Sequence, residues 1–171
     1  QAEAERKRLR TEATKRGRKP DPRSLRAAEY ILLVTALPAE TFPTANTPFT
    51  ICALGSDPFG TSLDAIAGKT VRDRTLVIKR IRSGGAVTGC QVLYVSPNEL
   101  PQAANLLRTI QNTPMLTVCD IDACAETGLM LNMRMADNRV QLDMNLAAVQ
   151  HTPLKVSSQL IKLTRIVKGQ P

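Results

Sequence analysis

The sequence predicts an α/β protein: a three-layer-like mixed sheet, largely parallel, closed by a C-terminal antiparallel hairpin, with helices packed on it. Three observations carry this reading. Short runs that are apolar or alternate apolar with polar recur along the chain, helix-start signatures follow several of them, and Leu129–Met135 and Arg139–Met144 are separated by only Ala-Asp-Asn. A chain of 171 residues can bury a core without metals or disulfides. With 43% hydrophobic residues, 3% aromatic and no Trp, that core must be Leu, Ile, Val, Ala and Met.

The elements follow in order. Asp21-Pro22 combines a capping carboxylate with Pro at the first helical position, so a helix is expected from there to about Leu37, with Pro38 and Pro43 bracketing the loop after it. Phe49–Gly55 alternates and stops on Gly, a strand. Asp57-Pro58 repeats the helix-start chemistry and leads into a short helix ending near Gly68. Thr75–Ile81 and Gln91–Val95 read as strands on either side of a Gly84-Gly85 loop. Ser96-Pro-Asn-Glu99 has the form of a capping box, opening a helix that carries Leu100, Ala103, Leu107 and Ile110 on one stripe. A strand is expected near Met115, then the hairpin, then a last helix from Ser157 or Ser158 that turns Leu160, Leu163 and Val167 inward.

The net charge of +8 is unevenly placed. Residues 1–26 hold ten basic and four acidic side chains, a balance of +6, which leaves +2 for the other 145 residues. The domain itself therefore lacks a basic face, and no aromatic platform interleaves with its cations, so nucleic acid is not an expected partner. Residues 1–20 are read as a basic, disordered leader, with Gly17 and Pro20 as breakers and no apolar stripe, and residues 21–168 as one domain. The leader lacks the apolar stretch of a signal peptide. The run Tyr30–Leu37 stops at Pro38 after eight residues, too short to span a bilayer, so no direct membrane insertion is expected.

Little in the chain points to catalysis. The single histidine, His151, sits at a helix end, where a surface or capping role is the usual one. Leu54–Gly60 follows a strand and opens a helix, so its amides could hold an anion, but turn formation alone explains its glycines and Asp57. Asp120, Asp122 and Glu126 lack the glycine and terminal glutamate of a calcium loop. The five methionines, Met115, Met130, Met133, Met135 and Met144, read as core filler rather than a copper site. No cofactor or metal is expected. Lys155 with Ser157 and Ser158, at a strand-to-helix junction, is a candidate site for a small anion or a partner carboxylate, and the first helix with exposed apolar residues near Phe42 is a candidate partner surface.

The cysteines are the informative set. Cys52, Cys90, Cys119 and Cys124 are spaced C-x37-C-x28-C-x4-C, without the two-residue separations of zinc knuckles or of a CxxC redox motif. An even count suits an oxidising compartment. Three connectivities are open, and 52 with 90 plus 119 with 124 requires the fewest topological assumptions.

Several segments taken together resemble the YfiR-like family of periplasmic regulators. They are Phe49–Gly55 with Asp57-Pro-Phe-Gly60, Leu63 and Ala67-Gly-Lys69, then Cys90–Ser96, Leu116-Thr-Val, Gly128-Leu-Met-Leu-Asn-Met, Asn138–Ala148 and Leu154–Leu163, covering about residues 26–167. Phe42-Pro43 stands where the family often has Trp-Pro, and the basic arm has no counterpart in it. The resemblance implies a non-enzymatic repressor in the periplasm, its export signal removed, that contacts the periplasmic domain of an inner-membrane diguanylate cyclase. Its output would be cyclic-di-GMP and biofilm formation. The implied partners are that cyclase, an outer-membrane OmpA-like lipoprotein that sequesters the repressor, and a second copy as a homodimer. The family's two redox-sensitive disulfides fall on Cys52 with Cys90 and Cys119 with Cys124. The rival reading is a periplasmic small-ligand sensor or binding domain serving another signalling or transport protein.

Overall fold

A computed structural model of the chain describes residues 3–5, 7–8, 37–121, 124–137 and 139–167. The helix expected from Asp21 to Leu37 lies almost wholly outside the described residues. Beyond it the strands are β1 (Phe49–Leu54), β2 (Thr70–Val71), β3 (Arg74–Ile81), β4 (Val92–Val95), β5 (Leu116–Cys119), β6 (Leu131–Ala136), β7 (Arg139–Met144) and β8 (Thr164–Ile166). Helices are α1 (Thr61–Asp64), α2 (Ala103–Ile110), α3 (Leu146–Gln150) and α4 (Ser158–Leu163).

These strands form one sheet in the order β2-β3-β1-β4-β5-β6-β7-β8. β3, β1, β4, β5 and β6 run parallel, and β7 and β8 are parallel to each other. β2 with β3 and β6 with β7 pair antiparallel. The largely parallel sheet and the β6–β7 hairpin are those the sequence predicts. The central strands are buried on both faces, as parallel strands covered by helices must be.

Alternation along the strands sorts side chains into two cores. Ile51, Ala53, Val92, Tyr94, Leu116 and Val118 join a cluster with Leu63 and Ile66 near α1, Ala148 and Val149 of α3, and Leu160 of α4. Cys52, Leu54, Leu93, Val95 and Cys119 face the other way, toward Val87, Ile110 and the partly buried Leu106 and Leu107 of α2. The β1-to-β3 and β4-to-β5 connections step in opposite directions across the sheet. Right-handed crossovers then put α1 and α2 on opposite faces, which gives the three layers.

Local details depart from the sequence reading for identifiable reasons. Asp57 does not cap a helix: its Oδ1 accepts from Phe59 N at 2.8 Å and Gly60 N at 3.4 Å, and α1 begins only at Thr61. The turn drives Phe59 inward against Tyr94, ring centroids 5.0 Å apart and edge to face. The capping box does not form either. Ser96 makes no side-chain cap, a 3-10 turn occupies Pro97–Gln102 with Pro101 inside it, and the α-helix starts at Ala103. The final helix turns Leu160 inward but leaves Leu163 58% exposed, because the chain leaves the helix at Thr164 to become β8.

Candidate functional site

Cys52 lies mid-strand in β1 and is fully buried, while Cys90 closes the loop that leads into β4. A disulfide joins them with Cα atoms 5.9 Å apart. Beside it Gln91 ties the same strands twice: its side-chain oxygen accepts from Thr50 N at 2.7 Å, and its own N–H donates to Thr50 O at 3.0 Å. The long loop between β3 and β4 is therefore anchored at its foot by one covalent and two polar links.

Cys119 ends β5 and Cys124 opens a 3-10 turn, Cys124–Thr127; both are buried and a second disulfide joins them, Cα atoms 6.4 Å apart. Cys119 Sγ lies 3.5 Å from the Leu131 carbonyl oxygen on β6, and Thr117 Oγ1 accepts from Met130 N at 3.0 Å. The short staple thus sits at the entry of β6 into the sheet. Asp120, between the cysteines, accepts a hydrogen bond from Tyr94 OH at 2.9 Å, a structural engagement rather than a free loop carboxylate. Asp122 lies outside the described residues. Among the described residues no three His, Cys, Asp or Glu side chains gather as a metal-binding group.

Of the other candidates, Lys155 and Ser158 are exposed, but Ser157 Oγ caps α4 by accepting from Leu160 N at 3.2 Å. Phe42 is not an exposed patch: at 8% exposure it packs on Phe49, ring centroids 5.9 Å apart, beneath the Arg74 guanidinium, which lies 3.7 Å from the ring centroid. Arg74 itself is held by the Thr44 and Thr47 carbonyls, so the whole group closes one end of the core. His151 is the exposed C-cap of α3. Two amides of the 54–60 turn, those of Phe59 and Gly60, are taken by Asp57, whose second oxygen pairs with Arg80 Nε at 2.7 Å. Asp57 first, then Asp64, hold the Arg80 guanidinium above its usual pKa. Met115, Met130, Met133 and Met144 are buried in the two cores.

Three polar constellations lie beyond the candidate residues the sequence offers. Asp143, 4% exposed on β7, accepts from Arg134 Nε of β6 at 2.8 Å and from Arg165 Nε and Nη2 of β8 at 3.0 and 3.1 Å. Asn145 caps α3 by accepting from Ala148 N. Ser83 Oγ donates to Glu99 Oε2 at 3.1 Å, across the carboxyl ends of β3 and β4. The Asp143 and Glu99 groups depend on strand register, which residue spacing alone does not give, whereas Asn145 is a local N-cap.

With this frame in place, a family model described as YfiR/HmsC-like (DUF4154) matches residues 29–165, most of the chain and the whole sheet but for the last residue of β8. The chain belongs to the YfiR/HmsC-like family. No individually curated protein matches it significantly. The YfiR-like family is regulatory and non-catalytic, and membership implies a periplasmic regulator of a diguanylate cyclase. The two buried disulfides of this YfiR-like domain suit that oxidising compartment. No helix of the described residues is long and apolar enough to cross a membrane.

Proposed function

We propose that the protein represses an inner-membrane diguanylate cyclase by direct contact with the cyclase's periplasmic domain, and so lowers cyclic-di-GMP and biofilm formation. The observation that carries this reading is the family match across residues 29–165. A repressor of this kind works by binding and needs no catalytic residue. The regulatory domain spans residues 21–168, with the basic segment 1–20 outside it. An outer-membrane OmpA-like lipoprotein relieves repression by sequestering the protein, and a homodimer is a further assembly of the same domain.

The contact surface in this proposal is the β8 end of the sheet. Leu163 and Ile166 are 58% and 49% exposed there, beside an unpaired strand edge among the described strands. Apolar side chains beside open backbone groups favour a partner. Lys155 and Ser158, exposed on the segment leading into α4, supply its polar rim. The deciding experiment is capture of the protein by the periplasmic domain of a co-encoded cyclase, with and without reductant. Capture under oxidising conditions, weakened by Leu163→Glu and by reductant, is expected. Absence of capture by the oxidised protein turns the reading to a ligand-binding sensor that serves another signalling or transport protein.

A further inference from the structure

The place where the sheet changes direction holds a second constellation. β1 connects toward β3 on one side and β4 toward β5 on the other, so the chain leaves the carboxyl ends of these paired strands in opposite directions. In open α/β sheets that point leaves a crevice outside the strand ends. Here its floor is Gly55, directly after β1, and its far side is the Ser96–Glu99 segment directly after β4. Gly55 is at φ +86, and a Cβ placed on it would fall 2.3 Å from Ser96 Oγ and 2.8 Å from Glu99 Cγ, so both side chains converge over that glycine.

The chemistry at this spot is unbalanced. Glu99 is 8% exposed, and Ser83 Oγ is the one side chain bonded to its carboxylate among the described residues; no Lys or Arg of the described set pairs with it. Ser96 Oγ is fully buried and has no hydrogen-bond partner among the described residues. A buried carboxylate without a counter-charge is costly, and so is a buried hydroxyl without a partner. Glu99 also lines a cleft of about 460 Å³ between the β3–β4 loop and α2. Val87, Leu106, Ile110 and Met115 form its apolar wall, with Asn105 and Thr109 beside them. That volume lies in the range of small-molecule sites, which pair an apolar lining with a few placed polar groups.

We propose that this cleft binds a small amphipathic amine, its ammonium on Glu99 and its apolar body against Val87, Leu106, Ile110 and Met115. The site is separate from the β8 surface and does not depend on the cyclase reading. An ammonium is the ligand group that fits best, because it neutralises the Glu99 carboxylate and brings three donors to the acceptor capacity that Ser83 leaves on it. A carboxylate or phosphate ligand would meet like charge at the same point.

The test uses 2-phenylethylamine as the probe and the full oxidised chain, with binding read by calorimetry and by amide shifts. Saturable binding is expected, with shifts at Gly84–Gly89 and in α2. Neutral 2-phenylethanol, of the same shape, is expected to bind at least about tenfold more weakly, and Glu99→Gln to lose at least about tenfold for the amine. Thr109→Phe fills the cleft from an exposed position without touching Glu99, and is expected to block binding while the protein stays folded. No binding up to about 10 mM probe overturns the proposal, as does equal affinity for the alcohol, for Glu99→Gln or for Thr109→Phe. Shifts centred on another part of the surface overturn it too.

Discussion

At the scale of single residues, the clearest constraint is on backbone that only glycine tolerates well. Gly55 and Gly68 both have positive φ, +86 and +81, but a Cβ at Gly68 would meet open space, whereas one at Gly55 would strike Ser96 and Glu99. Gly68→Ala should therefore cost about 1 kcal/mol, the backbone term alone. Gly55→Ala should cost about 2–4 kcal/mol, because overlap in a packed site adds to the same strain. Urea denaturation of the two variants checks this, and equal losses would remove the steric argument. Asp143 is the second such residue. Asp143→Ala strands two guanidiniums, but Arg134 and Arg165 are 25% and 56% exposed and can rehydrate. The expected loss is about 2–3 kcal/mol, at or below the low end for breaking a buried pair. Faster amide exchange confined to β8 and its neighbour β7 should accompany it.

At the scale of elements, the two disulfides differ in what they constrain. The Cys52–Cys90 bridge closes a separation of 38 residues and the Cys119–Cys124 bridge one of 5. Chain-entropy arguments give about 4 kcal/mol for the first and about 2 for the second. The double variant Cys52→Ala/Cys90→Ala is thus expected to lower the urea midpoint more than Cys119→Ala/Cys124→Ala, and the reverse order would mean that native packing outweighs loop closure.

The same elements show what a sequence discloses and what it withholds. β1, β4 and β5 were readable because buried parallel strands are short apolar runs, and the β6–β7 hairpin because Asp137-Asn138 suits a tight turn. β2 was not: it has two residues, and its turn uses Arg72 and Asp73 at φ 50 and 64 in place of the usual Asn-Gly. β8 was hidden inside a helical pattern, since Leu160, Leu163 and Val167 also fit one stripe. The capping box misled because Ser96 and Glu99 serve the packing over Gly55, a long-range demand that overrides local capping. Within the candidate site, the cysteines were legible from spacing. The Asp143 cluster and Glu99 with Ser83 were not, because they exist only once strands are in register.

For the whole molecule, the described part of the basic leader is tied to the domain by a contact that titrates. Glu5 accepts from Arg8 and pairs with Lys69 Nζ at 3.3 Å. The Arg8 hydrogen bond foremost, with Lys69, holds its carboxyl below the usual carboxylate range against the opposing effect of partial burial. A lowered folded pKa means a contribution fully present above the unfolded carboxylate value and lost as pH falls through the folded one. The contact should therefore persist from neutral pH to about pH 5 and be released only in more acid solution. The Glu5 carboxyl carbon and Lys69 amide shifts report it, and Glu5→Gln should abolish the pH dependence of the Lys69 amide signal. A Lys69 shift that follows an ordinary carboxylate titration would mean that the tie is not made in solution.

The foot of the β3–β4 loop carries one more consequence. Cys90 ends the loop whose residues 84–89 wall the Glu99 cleft, and Cys52 holds it to β1. Opening the bridge removes the covalent link and leaves only the two hydrogen bonds between Gln91 and Thr50, which loosens the wall, so an occupant of the cleft is expected to bind the oxidised form more tightly than the reduced one. By reciprocity, the occupant then makes the bridge harder to reduce by the same factor. The protein would in that way report two conditions through one equilibrium, with the concentration of a small amine setting how strong a reductant is needed to loosen the domain.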